Sequence, residues 1–114
     1  MSLRHVQQEV DRWIAQYEEG YFPPLTNLAR LAEEVGELAR EINHRYGAKS
    51  KKLDEPEGSV ALELADILFV VICIANSHGI DLDDAFAQMM RKVATRDADR
   101  WTKREQRSRP PPPA

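Results

Sequence analysis

Apolar residues along this chain recur in steps of three and four, and no stretch alternates convincingly with period two. The pattern predicts helices and no sheet. The first helix is predicted over Leu3–Glu19, with Leu3, Val6, Val10, Trp13, Ile14 and Tyr17 on one stripe, Gly20 as its stop and Tyr21–Pro24 as a turn. The second is predicted over Leu25–Arg45, with Leu28, Leu31, Val35, Leu38 and Ile42 as a buried seam. Pro24 suits its first turn, where a missing N–H costs nothing, and Gly47 suits its end. Ala48–Gly58 reads as a long polar loop. The third helix, Val60–Ser77, can be capped by Ser59. Fourteen of the sixteen residues from Val60 to Ala75 are apolar, so this helix is expected to be buried on most sides. After a turn at His78–Asp84 the fourth helix, Leu82–Lys103, turns Leu82, Ala85, Phe86, Met89, Met90 and Val93 inward. The expected fold is all-α, a four-helix arrangement over residues 1–104. The Pro-rich tail over residues 105–114 ends in Arg109–Ala114, which cannot be helical.

Two acidic motifs interrupt this pattern. Each residue of an ideal helix advances about 100°, which puts Glu34, Glu37 and Glu41 in one stripe on the flank of the second helix's seam. Such a stripe can be a plain solvated face. Glu63 and Asp66 share a side of the third helix, where there is little polar surface to receive them. A buried carboxylate without compensation loses several kcal/mol, and two side by side are worse, each raising the pKa of the other. The remedies are an Arg or Lys partner, protonation or a divalent cation. No basic residue lies within the third helix, and Arg30 is a possible partner for Glu34 one turn away. Hard oxygen ligands without His or Cys favour Mg2+ or Mn2+. Ion pairing stays open as the rival. Glu41–His44 is a Glu-x-x-His, but di-iron bundles need that motif on two helices and it occurs here once.

Composition narrows the class. At 114 residues, 42% apolar and 31% charged, the chain is expected to form one small domain. Its single cysteine, Cys73, lies in the longest apolar run, Ile67–Ala75. A lone buried thiol and the lack of an export-signal pattern lead to the expectation of a cytoplasmic protein. The nine-residue run is far short of the roughly 20 residues that span a bilayer, so no membrane association is expected. Charge is uneven: residues 1–90 carry −8 and residues 91–114 carry +5. Basic residues gathered at one end of an acidic chain argue against nucleic-acid binding and leave an anionic ligand or a solvated end.

"EEVGE", Glu33–Glu37, followed by "ELAD", Glu63–Asp66, resembles the EExxE…ExxD signature of the MazG-like, all-α nucleoside triphosphate pyrophosphohydrolases, and the likeness covers most of residues 6–101. The resemblance implies a four-helix MazG-like bundle that hydrolyses a nucleoside triphosphate, or a modified one, to the monophosphate and pyrophosphate. It implies Glu34, Glu37, Glu63 and Asp66 as Mg2+ ligands (Mn2+ is possible) and Glu33 as the group that orients or deprotonates the attacking water. Glu33 also reads as a surface carboxylate. Lys92 and Arg96, spaced i, i+4, with Arg100 one turn on, are the phosphate contacts it suggests; salt bridging to Asp97 and Asp99 is the alternative. Asn76 is either a further polar contact or a helix-end cap. A base pocket is expected from Trp13, Tyr17, Tyr21 and Trp101, of which Trp13 and Tyr17 also suit core packing. Gly36, inside a helix, would permit close helix approach, including across a subunit interface. The greasy third helix and the resemblance together lead to the expectation of a homodimer or homotetramer. The contrasting reading is a non-enzymatic α-helical interaction protein, whose acidic pairs would be met directly by Arg or Lys.

Overall fold

The computed structural model describes residues 2–47 and 59–104 as four helices: α1 (Leu3–Ile14), α2 (Pro24–Tyr46), α3 (Val60–Ser77) and α4 (Leu82–Arg96). Among the described residues there is no strand. Local chemistry sets most ends. The Ser2 hydroxyl accepts from the His5 N–H at 3.1 Å, and the Ser59 hydroxyl accepts from the Leu62 N–H at 3.2 Å, each satisfying a donor that the first turn leaves open. Pro24 occupies the first position of α2, as its fixed φ suits. The chain leaves α3 through Gly79 at φ 67°, a left-handed conformation that favours glycine.

Two helix ends differ from the sequence expectation. α1 stops at Ile14 rather than Glu19, because the chain tightens into turns in which Gln16 N–H donates to Trp13 C=O and Tyr17 N–H to Ile14 C=O. After Gly20, at φ 62°, the segment folds back so that the Tyr21 hydroxyl reaches Asp11 and Asn76, which a helix continuing to Glu19 would prevent. α4 stops at Arg96 rather than Lys103. There the Asp97 carboxylate takes the Arg96 guanidinium and lies 3.7 Å from Arg100, while the Arg100 N–H turns back to Asp97 C=O. The polar segment over residues 48–58 and the tail over residues 105–114 lie outside the described residues.

The chain divides into two compact units, Met1–Leu82 and Asp83–Ala114. In the first, α3 is the centre: α2 and α1 both pack on it. Val10, Ile72 and Cys73 form the buried core, covered by Val6, Ile14, Tyr21, Phe69 and Leu82. Burial is confined to the C-terminal half of α3, at Val70, Ile72, Cys73 and Ala75. Leu62, Leu64 and Leu68 stay exposed, and so do Leu28, Val35 and Ile42 of the expected α2 seam. The apolar pattern therefore exceeds what a single chain covers. In the second unit, Phe86, Met89, Met90 and Val93 are likewise exposed rather than buried. Nor does Gly36 mediate an approach within the chain, since a Cβ there would meet nothing within 4 Å. Among the described residues, α3 alone is long and apolar enough to cross a bilayer by length and composition, a property that its nine-residue unbroken run does not reveal.

Candidate active site

Glu34 and Glu37 on α2 meet Glu63 on α3, with one carboxylate oxygen of each lying within 4.8 Å of the other two. Glu34 and Glu63 are half-buried and Glu37 is exposed. The Oε2 atoms of Glu34 and Glu63 are both buried and have no hydrogen-bond partner among the described residues. Buried oxygens of this kind call for a counter-charge. No Lys or Arg among the described residues of the first unit provides one: none is within ion-pair distance of Glu63 or Asp66, and Arg30 lies over the Phe22 ring, 5.1 Å from its centroid, rather than against Glu34. Desolvation, followed by the charges of Glu37 and Asp66, pushes the Glu34 and Glu63 carboxyls above the ordinary carboxylate range. Asp66 stands outside the tight trio but within its field, and Glu41 also bears on Glu63. Glu33 is exposed and outside the trio.

Next to the carboxylates the first unit holds a cavity of about 350 Å³, lined mainly by Trp13, Tyr17, Tyr21, Phe22, Arg30 and Phe69, with Asn27 and Cys73 also in its wall. Trp13 meets Tyr17 at 5.1 Å between ring centroids and Phe69 edge-on at 6.2 Å. Along α2, Arg30 precedes Glu34 by one turn; along α3, Phe69 follows Asp66 by nearly one. At about 1.5 Å rise per residue, the cavity wall begins roughly 6 Å from Glu34 along α2 and roughly 9 Å from Glu63 along α3. The sequence reading placed Trp13, Tyr17 and Tyr21 here. It missed Arg30 and Phe69 as wall residues, although their spacing from the acidic motifs puts them on the same flank.

Asn76 is not free to meet a phosphate. Its Nδ2 donates to Gln7 C=O at 3.0 Å and to the Tyr21 hydroxyl at 2.9 Å, and its Oδ1 accepts from Gln7 Nε2 at 2.9 Å. It also lies about 15 Å along α3 from Asp66. The Tyr21 hydroxyl donates to Asp11 Oδ1 at 2.6 Å. Its pKa is pushed up to about 12 by burial first and by that hydrogen bond second.

In the second unit, Lys92 and Arg96 lie on α4, while Arg100 falls beyond the end of the helix. Arg96 and Arg100 are both held by Asp97, so the three cations do not share a helical face. Trp101 is 72% exposed, with the Arg100 guanidinium 5.3 Å from its ring centroid.

Residues 22–101 match the MazG nucleotide pyrophosphohydrolase domain, which takes in both acidic motifs and the basic end of α4. The chain belongs to the MazG nucleotide pyrophosphohydrolase family. Within that family it is 53% identical to YpjD of Bacillus subtilis (strain 168) over 105 residues, 92% of this chain and 95% of YpjD. It is similar to the crystal structure of Bacillus subtilis YpjD, with a TM-score of 0.77 and 52% identity, covering 85% of this chain and 97% of that one. It is also similar to the crystal structure of the Bacillus-conserved MazG protein, a nucleotide pyrophosphohydrolase, with a TM-score of 0.74 and 50% identity over 87% of this chain and 96% of that one. The all-α MazG fold is thus shared with solved structures, and the chain is a hydrolase of the pyrophosphohydrolase kind.

Proposed function

We propose that this protein is a Mg2+-dependent nucleoside triphosphate pyrophosphohydrolase that cleaves a (d)NTP, or a modified NTP, to the monophosphate and pyrophosphate in cytoplasmic nucleotide-pool housecleaning. The observation that carries this reading is the Glu34–Glu37–Glu63 trio, with its two buried, unpartnered oxygens. An all-carboxylate donor set suits a hard divalent cation such as Mg2+ or Mn2+. Glu34, Glu37 and Glu63 would hold the metal, with Asp66 as the adjacent fourth carboxylate. Bound there, a metal would supply charge neutralisation for the triphosphate and a more acidic water for attack on the α-phosphorus.

The chain's own groups supply the rest. Glu33, exposed and outside the trio, would orient the water and take its proton. Lys92, Arg96 and Arg100 supply cations suited to the phosphates; Arg96 and Arg100 would exchange Asp97 for them. Trp13, Tyr17 and Tyr21 give the base aromatic faces inside the cavity, and Trp101 is a second, exposed face. The apolar surface left open at Leu28, Val35, Leu62 and Leu64 supports a homodimer or homotetramer. We read α3 as a core helix of that assembly rather than a membrane span, since Glu63 and Asp66 would be costly in lipid. We assign no nucleic-acid partner.

The test is a panel of canonical, oxidised and otherwise modified (d)NTPs with Mg2+, assayed for monophosphate and pyrophosphate. Inactivity throughout, or wild-type rates in Glu63→Gln and Asp66→Asn, would sink the reading. Release of diphosphate and orthophosphate would move the attack to the γ-phosphorus. Light scattering of the purified chain across a dilution series checks the oligomer, and a monomer at every concentration removes it.

A further inference from the structure

The polar groups behind the cavity wall form one connected network. Tyr21 contributes its ring to the cavity and directs its hydroxyl away into the junction of α1 and α3. There it donates to Asp11 Oδ1 at 2.6 Å, the length of a hydrogen bond to a charged acceptor, and accepts from Asn76 Nδ2 at 2.9 Å. Asn76 is fixed in turn by Gln7, through both its oxygen and its nitrogen. Gln7 is buried and tied to the turn after α3: its Nε2 donates to Ile80 C=O at 2.8 Å, and its Oε1 accepts from the Leu82 N–H at 2.9 Å. Every polar atom of the Asn76 and Gln7 amides is thereby engaged. The segment after α1 is held by turn hydrogen bonds, by Asn27 Nδ2 donating to Phe22 C=O at 3.3 Å and by the packing of Tyr21 on the core, and this network fixes the hydroxyl end of the Tyr21 ring.

We propose that Asn76, together with Asp11 and Gln7, is a positioning residue for the Tyr21 ring, and through it sets the affinity of the cavity for the nucleobase end of the substrate without touching the phosphates. The proposal rests on the cavity's being the base site. A ring held at both hydroxyl hydrogen bonds presents a fixed face to a flat heteroaromatic ligand. Released from them, it must be ordered when the ligand binds, and the affinity falls. The hydroxyl stays protonated over the whole physiological range, since its pKa is about 12, so the direction of both bonds is constant.

The experiment separates the two ends of the substrate. Binding of non-hydrolysable α,β-imido dNTPs and of inorganic triphosphate, which has no base, is measured by calorimetry with Mg2+ for wild type, Tyr21→Phe, Asn76→Ala and the double variant. Tyr21→Phe keeps the ring and deletes its hydroxyl, so it stays informative if Asn76→Ala folds poorly. The expected result is a loss of nucleotide affinity of about fivefold in each single variant, the effect of roughly one hydrogen bond. The double variant should be no weaker than the worse single one, and triphosphate affinity should be unchanged throughout. Asp11→Asn, which keeps the acceptor oxygen, should bind nucleotide nearly as wild type does, whereas Asp11→Ala should not.

Weaker triphosphate binding in Asn76→Ala would overturn the proposal, because it would put Asn76 on the phosphates. Unchanged nucleotide affinity in Tyr21→Phe, or losses that multiply in the double variant, would also overturn it. A wild-type chain that binds triphosphate as tightly as nucleotide removes the base site and leaves the carboxylate reading standing. One that binds neither sinks the carboxylate reading, and the positioning role falls with it.

Discussion

Glu34 of α2 and Glu63 of α3 bring carboxylate oxygens within 4.8 Å of each other, and each keeps a buried Oε2 with no hydrogen-bond partner among the described residues. Held without a counter-ion, such a pair opposes folding. Glu63→Gln should therefore raise the melting temperature of the metal-free protein, while lowering kcat/KM at least ~100-fold and abolishing the upward melting shift that Mg2+ gives the wild type. Thermal melts with EDTA and with Mg2+, set beside the rates, check all three.

The same pair makes metal binding depend on pH. Its carboxyls titrate above the ordinary 4.5 in the folded chain. The folded state thus holds protons that the unfolded state has released. The stability contribution of these groups is complete below 4.5 and is lost as pH rises through the raised folded values. Mg2+ needs the charged form, so its affinity should fall as pH is lowered through that same range. Urea midpoints of the metal-free protein from pH 4.5 upward, with Mg2+ titrations alongside, would show the two trends running in opposite directions.

Tyr21 gives an alkaline counterpart. A phenol that ionises at about 12 in the folded chain and at its ordinary 10.0 in the unfolded one contributes stability below pH 10 that is lost as pH rises through about 12. A phenolate absorbance titration should show one tyrosine ionising about two units late, and Tyr21→Phe should remove that step.

Gly36 sits inside α2 without a positive φ and with open space where a Cβ would stand. Gly36→Ala should stabilise the chain by up to ~1 kcal/mol through helix propensity alone. A urea midpoint that falls instead would place a second chain against this face of the helix.

Lys92→Ala should raise KM several-fold and leave the melting temperature within a degree or two, since an exposed helix residue contributes little to stability. Steady-state kinetics beside a melt checks this, and an unchanged KM would remove Lys92 from the phosphates.

What local sequence dictates was legible before the fold was seen. The span of α3, Val60–Ser77, follows from local sequence alone: the Ser59 hydroxyl caps its start, and apolar residues fill most of its length to Ala75. The carboxylates follow for a related reason, since helical spacing fixes which side chains share a flank; their burial does not follow, because the N-terminal half of α3 leaves Glu63 half-buried and Asp66 exposed. The acidic signature also identified the family that residues 22–101 match. Contacts distant in sequence were decided by tertiary structure alone. The Tyr21 hydroxyl, drawn to Asp11 and Asn76, accompanies a first helix shorter than its apolar stripe suggests. The amide of Asn76, polar at the end of a greasy helix, could be read as a ligand until Gln7 and Tyr21 were seen to engage it. The cavity beside the carboxylates exists only where α1, the turn after it, α2 and α3 converge. Periodicity records which face a residue occupies, whereas hydrogen-bond partners and enclosed space depend on which distant face arrives opposite.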